Sequence, residues 1–240
     1  MKLKAFDLDF PYVENKNRIE LIISEHGCSH NDAIKIDYQT YWKDKRRRLS
    51  LQTRCISAFF ERLFSPIDTK DCKKILVECV HEKPESTIKN YSGVYTVQCL
   101  FDEQSFEKND DLGKKKTSLD ILMAGIKKVA SNQNWDIEPF ENVYNKIVAE
   151  GYNNEWVWQK SAKSPDKKYK ANVLLQHEVD RIDILIVIYD KENVIFSKKV
   201  ISELPDEYAY ANHLGSIKWI SSNKVSLVAT AKDREWTIDF

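Results

Sequence analysis

The sequence predicts an α+β protein with two domains, one over residues 1–151 and one over residues 152–240. Three observations predict this class. Apolar residues recur at helical spacing only in the first part, strand-like runs bounded by turn residues occur in both parts, and no helical period follows Gly151. We therefore expect an N-terminal antiparallel or mixed sheet with about three helices, followed by a C-terminal antiparallel β-meander.

The three helices of the N-terminal domain are expected over residues 43–64, 117–130 and 139–148. In the first, the helical spacing of apolar residues continues until Pro66 interrupts it. The second begins at a capping-box-like Thr117, after a polar link over residues 102–116. The third has Pro139 in its first turn and Gly151 as its natural C-cap.

The strands of the N-terminal domain are expected over residues 2–10, 18–24, 33–38, 74–80 and 93–101. The first alternates in part, and a polar turn over residues 14–17 would join it to the second, which contains Ile19, Ile22 and Ile23. The strands of the C-terminal domain are expected over residues 155–160, 170–177, 182–189, 194–200, 216–220, 225–230 and 235–238. Turn residues separate several of them.

Charge and composition exclude several classes of function. Lys and Arg together number 37, as do Asp and Glu, so the basic excess of a general nucleic-acid binder is absent and a nucleic-acid partner is not expected. The longest apolar stretch, residues 184–189, is too short to span a bilayer, and a membrane partner is not expected either. The common motifs of hydrolases, nucleotide-binding loops and zinc proteases are absent, so neither catalytic residues nor a cofactor are predicted.

The sequence also predicts a cytoplasmic protein with reduced thiols. Asp7 and Asp9 interrupt the region that a signal peptide would keep apolar. The five cysteines are odd in number and irregularly spaced, unlike those of a secreted domain held by disulfides. Cys79 and Cys99 fall within apolar strand patterns, where a free cysteine usually packs as a small apolar residue.

One local cluster has the residue types of a metal site: His26, Cys28 and His30. On an extended segment, residues two apart point the same way, so these side chains could converge on a metal, with Asp32 as a further ligand. Gly27 and the polar residues that follow it favour a loop instead, and no second Cys/His pair lies nearby at a zinc-site spacing. A polar loop is the preferred interpretation, and no metal is predicted.

Two charged segments have alternative interpretations. The basic run at residues 43–48 follows Tyr38, Tyr41 and Trp42, an arrangement that can mark a surface for single-stranded nucleic acid. A helix would distribute these charges around its axis, so the run is interpreted as the solvated start of a helix. The acidic residues between 102 and 111 are either a loop that docks on a basic partner or, as we prefer, a solvated linker.

Two stretches of the C-terminal domain resemble a propeller blade. Residues 164–171 (SPDKKYKA), followed by the apolar residues 183–189, resemble the SPD-x-x-Y opening of a strand pair. Residues 217–225 resemble the W-x-S-x-x-x-V start of a next blade. The match spans two blades at most, whereas a closed propeller needs about four or more, so a blade-like antiparallel meander is expected.

Meanders of this kind are frequent among the immunity proteins of bacterial polymorphic toxins. The chain resembles those proteins also in its modest length, its tryptophans and its lack of catalytic motifs. The resemblance implies a cytoplasmic protein that binds a cognate toxin domain and blocks it. No particular site residue is implied by it.

The leading hypothesis is therefore a non-enzymatic protein-binding protein, most concretely an immunity protein that occludes a toxin domain. Aromatic and charged residues of the C-terminal domain are its candidate contacts, because such residues anchor interfaces. These candidates are Asp206, Glu207, Tyr208, Tyr210, Trp156 and Trp158. The alternative hypothesis is a hydrolase or nuclease of unrecognised type that uses scattered histidines and carboxylates, which a deep pocket with convergent titratable side chains would favour.

Overall fold

The computed structural model describes residues 1–240, apart from the side chain of Gln159. The chain forms two compact units, Met1–Ala149 and Glu150–Phe240. Its fold class is α+β, as the sequence predicts, with a helix-rich first unit and an antiparallel second unit. Among the described residues, no helix is both long enough and apolar enough to cross a bilayer.

The first unit contains a mixed sheet and six α-helices within the described chain. Its elements are β1 (Lys2–Leu3), β2 (Ala5–Asp9), α1 (Lys16–His26), α2 (His30–Asp37), a π-helical segment (Tyr38–Trp42), α3 (Lys43–Leu63), β3 (Ile67–Asp68), β4 (Lys74–Val80), β5 (Lys89–Tyr91), β6 (Val94–Leu100), α4 (Glu103–Lys108), α5 (Asp111–Gln133) and α6 (Glu138–Ala149). The order of the sheet is β2-β4-β6-β5, in which β2, β4 and β6 are parallel and β5 is antiparallel. β1 and β3 form a separate two-stranded sheet.

The strands predicted over residues 18–24 and 33–38 are wrong, because both segments are helical. In α1 only Ile19 and Ile22 are buried, three positions apart as on one helix face, whereas a strand would bury alternate residues. Asn15 caps the helix by accepting a hydrogen bond from the Arg18 backbone N–H.

The polar link predicted over residues 102–116 is also wrong. It contains α4 and the start of α5, which begins before Thr117. Asp102 and Asp110 cap these two helices by accepting backbone N–H groups three residues on. Together with α1 and α2, α4 raises the number of helices above the three that were expected.

The helices α3 and α5 cover one face of the mixed sheet, and α6 packs on both of them. Phe6 of β2 contacts the rings of Phe64 and Phe140 at centroid distances of 5.1 and 6.3 Å. Gly125 of α5 lies so close to β4 that a Cβ atom there would come within 2.3 Å of Val77 Cγ2. The close approach of helix and strand therefore requires glycine at this position.

The edge strand β2 is covered by side chains of α3. The backbone N–H of Phe6 donates to Oε1 of Glu61 at 2.8 Å, and Arg54 donates to Oε2 of the same carboxylate at 2.8 Å. Glu61 therefore satisfies a backbone N–H group on the outer side of the edge strand β2.

The second unit is built from all seven strands that the sequence predicts after Gly151. Its elements are β7 (Asn154–Lys163), β8 (Tyr169–His177), β9 (Ile182–Asp190), β10 (Asn193–Glu203), α7 (Glu207–Tyr210), a 3₁₀ turn (Ala211–His213), β11 (Ser216–Ser221), β12 (Lys224–Val228) and β13 (Glu235–Asp239). Two antiparallel sheets result, with the orders β10-β9-β8-β7 and β11-β12-β13. Fully buried residues of both sheets, such as Val173, Ile186 and Leu227, form one core.

Candidate functional site

The predicted partner-binding segment begins with a capped helical turn. The side chain of Asp206 accepts a hydrogen bond from the Tyr208 backbone N–H at 2.9 Å and so caps α7. Tyr208 is 92% exposed, whereas Tyr210, two residues later, is buried in the core of the second unit. The turn therefore presents one tyrosine to solvent and is anchored by the other.

A buried histidine fixes the start of this turn. Nε2 of His177 lies 3.3 Å from the carbonyl oxygen of Pro205, and Nδ1 lies 3.5 Å from the side-chain nitrogen of Asn154. A carbonyl oxygen can only accept, so Nε2 carries a proton and donates to it. The ring centroids of Tyr210 and Trp156 each lie 6.4 Å from the imidazole centroid.

The other candidate residues of this unit pack against its core. Trp156 and Trp158 are both half-buried against the core of the two sheets, and Nζ of Lys160 lies 5.0 Å from the Trp158 ring centroid. Asp206 and Glu207 are half-exposed. Of the six candidates, Tyr208 has the largest exposed fraction, and the buried Tyr210 anchors the helical turn that carries it.

A second candidate region lies at the carboxyl ends of the parallel strands in the first unit. Phe10 follows β2, His81 follows β4 and Phe101 follows β6, and the Phe10 ring centroid lies 5.6 Å from each of the other two. An open groove of about 710 Å³ lies beside His81 and Phe101. Open parallel sheets commonly bind ligands at this edge.

Three titratable side chains meet in this groove. Oε2 of Glu103 lies 2.7 Å from Nζ of Lys45 and 3.2 Å from Nε2 of His81. Nδ1 of His81 faces the carbonyl oxygen of Phe101 at 3.3 Å, so both ring nitrogens face acceptors. The ammonium group of Lys45 also lies over the ring of Phe10, 4.8 Å from its centroid. The groove therefore brings a histidine, a carboxylate and an ammonium group together at its wall.

No sequence pattern distinguishes His81, and Lys45 and Glu103 fall in separate charged segments. His81 and Glu103 meet because the parallel strands β4 and β6 are neighbours and end on the same side of the sheet, and Lys45 reaches them from the first turn of α3. One signal was available: each of the strands β4 and β6 is followed within three residues by a titratable side chain.

The side chains of His26, Cys28 and His30, which were considered as metal ligands, do not form such a site. His26 ends α1, Gly27 has a left-handed φ of +59°, and Ser29 caps α2 ahead of His30, so the segment is not extended as a converging arrangement requires. Nε2 of His30 instead lies 3.4 Å from a carboxylate oxygen of Glu14. Within the described part of the chain, no three His, Cys, Asp or Glu side chains are arranged to hold a metal ion.

The cysteines are free, and four of them are buried. Burial raises the pKa of Cys72 to about 11 and raises that of Cys79 further, because a thiolate is poorly solvated inside the protein. Such thiols are weak nucleophiles at neutral pH. Cys28, which follows α1, is half-buried.

Comparisons with protein-family models, with curated proteins and with solved structures find no match for this chain.

Proposed function

We propose that the chain is a non-enzymatic, cytoplasmic protein-binding protein of the immunity type, which neutralises a toxin domain by occluding it. The observation that carries the proposal is Tyr208, a tyrosine 92% exposed on a capped and anchored helical turn. Tyrosine is enriched at the centres of interfaces because it buries a large area at a small cost in side-chain entropy.

The anchoring of α7 favours binding. Tyr210 and the bond from His177 to the Pro205 carbonyl hold the turn in place before a partner arrives, so little ordering entropy is lost on association. Leu204, which is 46% exposed, adds apolar surface four residues before Tyr208. Asp206 and Glu207 add acidic groups that would speed association with a basic partner.

A pull-down with matched variants tests the binding site. The tagged wild type, Tyr208→Ala and Tyr91→Ala are used to capture proteins from the native host, and stoichiometric partners are identified. Tyr91 is the control because it is a tyrosine 63% exposed on the first unit. We expect one partner to be retained by Tyr91→Ala and lost with Tyr208→Ala. Equal recovery by all three proteins would remove Tyr208 from the interface.

The immunity role needs its own readout. The captured partner is expressed alone and together with the wild type or each variant. We expect the partner alone to stop growth, the wild type and Tyr91→Ala to restore it, and Tyr208→Ala to restore it poorly. A captured partner that is harmless when expressed alone would contradict the immunity role while leaving the binding function standing.

A second candidate function, a hydrolase or nuclease, is supported by the contact between His81 and Glu103 at the carboxyl ends of the parallel strands. Incubation of the purified chain with single-stranded RNA, single-stranded DNA and a nitrophenyl ester tests it. Turnover that disappears in both His81→Ala and Glu103→Gln, but persists in His30→Ala, would favour the enzyme. No turnover on any of these substrates would count against it.

A further inference from the structure

The basic residues at the start of α3, within residues 43–48, differ in whether they pair with a carboxylate. Three of its cations have carboxylate partners: Lys45 pairs with Glu103, Arg46 with Asp9, and Arg48 with Glu107. Among the described residues, neither Lys43 nor Arg47 has a carboxylate within ion-pair distance. These two residues lie one helical turn apart and are both exposed.

Lys43 and Arg47 line a groove beside the edge strand β2, of about 470 Å³. Ser50 lies on the same face of α3, one turn beyond Arg47, and its exposed hydroxyl lines the groove as well. The opposite side is formed by β2 and β4 and includes Lys74 and Leu76.

The carboxylates in this groove are already neutralised. Oδ2 of Asp7 lies 2.6 Å from Nζ of Lys74, and Oδ1 of Asp9 accepts from Nε of Arg46 at 3.0 Å. Four cationic and two acidic side chains line the groove, which leaves a local positive excess in a chain of zero net charge. That excess is carried by Lys43 and Arg47.

We propose that this groove binds a phosphate-bearing ligand through Lys43, Arg47 and Ser50. The planar fork of an arginine matches two phosphate oxygens, a lysine adds a mobile point charge, and a serine hydroxyl donates a further hydrogen bond. The volume of the groove, about 470 Å³, falls within the range of small-ligand sites. The phosphate belongs either to a free nucleotide or to a nucleic-acid strand.

The proposal does not depend on the proposed function, because Tyr208 belongs to the other compact unit. If Tyr208→Ala loses partner binding, the proposed phosphate site is not affected by that result.

Titration calorimetry tests the proposal with three probes: inorganic phosphate, adenosine 5′-monophosphate and a short oligothymidylate. The proteins are the full chain, Lys43→Ala, Arg47→Ala, Arg47→Lys and the control Arg48→Ala. Arg48 is matched because it lies on the same helix and carries the same charge, but pairs with Glu107 of α4. Circular dichroism verifies that each variant is folded.

We expect Arg47→Ala to raise the dissociation constant about tenfold or more, since a charge-assisted hydrogen bond is lost. Lys43→Ala weakens binding less, Arg47→Lys retains part of the affinity, and Arg48→Ala leaves it unchanged. Tight binding of oligothymidylate with a steep salt dependence, and weak binding of the mononucleotide, would identify a strand as the source of the phosphate. The opposite order would identify a free nucleotide. The proposal is overturned if no probe binds saturably, or if Arg48→Ala weakens binding as much as Arg47→Ala.

Discussion

Nε of Arg18 donates to Oδ1 of Asp37 over 2.6 Å, and the side chain of Asp37 is completely buried. The hydroxyl of Tyr12 donates to the second oxygen of the same carboxylate at 2.9 Å. Burial, and then the bond to Asp37, raises the pKa of Tyr12 to about 12. This network joins α1 to the end of α2 and so fixes the position of the two helices relative to each other.

We expect Arg18→Ala to lower the free energy of unfolding by about 2 kcal/mol, because a buried carboxylate loses its charged partner. Urea denaturation followed by circular dichroism measures the change. The control is Lys35→Ala, which removes an exposed pair with Asp32 on α2 and should leave stability unchanged. Equal effects of the two substitutions would show that burial of Asp37 does not matter.

Because the pKa of Asp37 is shifted in the folded chain, we expect stability to depend on pH. The hydrogen bond from Arg18 holds the pKa of Asp37 below its usual range in the folded chain. The folded state therefore binds this proton less readily than the unfolded state. The resulting stability is fully present above the pKa of the unfolded state, about 4, and is lost as the pH falls through the pKa of the folded state. Urea midpoints of the wild type should therefore fall more steeply below pH 4 than those of Asp37→Asn.

Substitutions of the two tyrosines in α7 should separate an effect on partner binding from an effect on stability. Tyr210→Ala should lower the free energy of unfolding by about 3 kcal/mol, since it removes a ring from the core. Tyr208→Ala should leave thermal unfolding unchanged, because its side chain lies in solvent. Differential scanning calorimetry of the two variants compares them directly, and a loss of stability in Tyr208→Ala would argue that this side chain packs on the protein.

The close approach of α5 to β4 predicts a compensating pair of substitutions. Gly125→Ala should destabilise the chain by about 1–3 kcal/mol, because the new Cβ would overlap with Val77. The double variant Gly125→Ala/Val77→Ala should be less destabilised than the sum of its single variants. Urea denaturation of the four proteins in this cycle measures the coupling, and additive effects would contradict a direct contact.

Cysteine reactivity should be confined to one site under native conditions. Cys28 is half-buried, whereas the other four thiols are buried. Ellman's reagent should therefore modify one thiol quickly in the native chain and all five only after denaturation. Cys28→Ser should remove the fast phase. A fast phase that persists in this variant would show that one of the buried thiols becomes exposed.

Helices and strands in which apolar residues recur with one clear period could be predicted from the sequence. The helix α3, the strands β4 and β6 and the seven strands of the second unit all lie close to the ranges that their residue patterns predict. In α1, four apolar residues lie close together, and Leu21 is exposed although it is apolar. A continuous apolar run fits a strand and a helix equally well, so the caps Asn15 and Gly27 were the better signal.

The candidate sites were less predictable than the fold. Tyr208 and its neighbours could be proposed from a single acidic and aromatic segment. The groove around His81 could not, since Lys45, Glu103 and His81 come from three separate segments. The groove beside β2 also depends on pairing, because the sequence does not show which cations of the basic run lack a carboxylate.

The bond between Glu61 and the backbone of Phe6 has a consequence for assembly. An uncovered edge strand is a template on which another chain can add a strand. Here a carboxylate takes the backbone donor that an incoming strand would use, and Arg54 holds that carboxylate in place. The Glu61 side chain therefore blocks the addition of a strand at this point. A second chain can extend the sheet beyond β2 only by displacing Glu61.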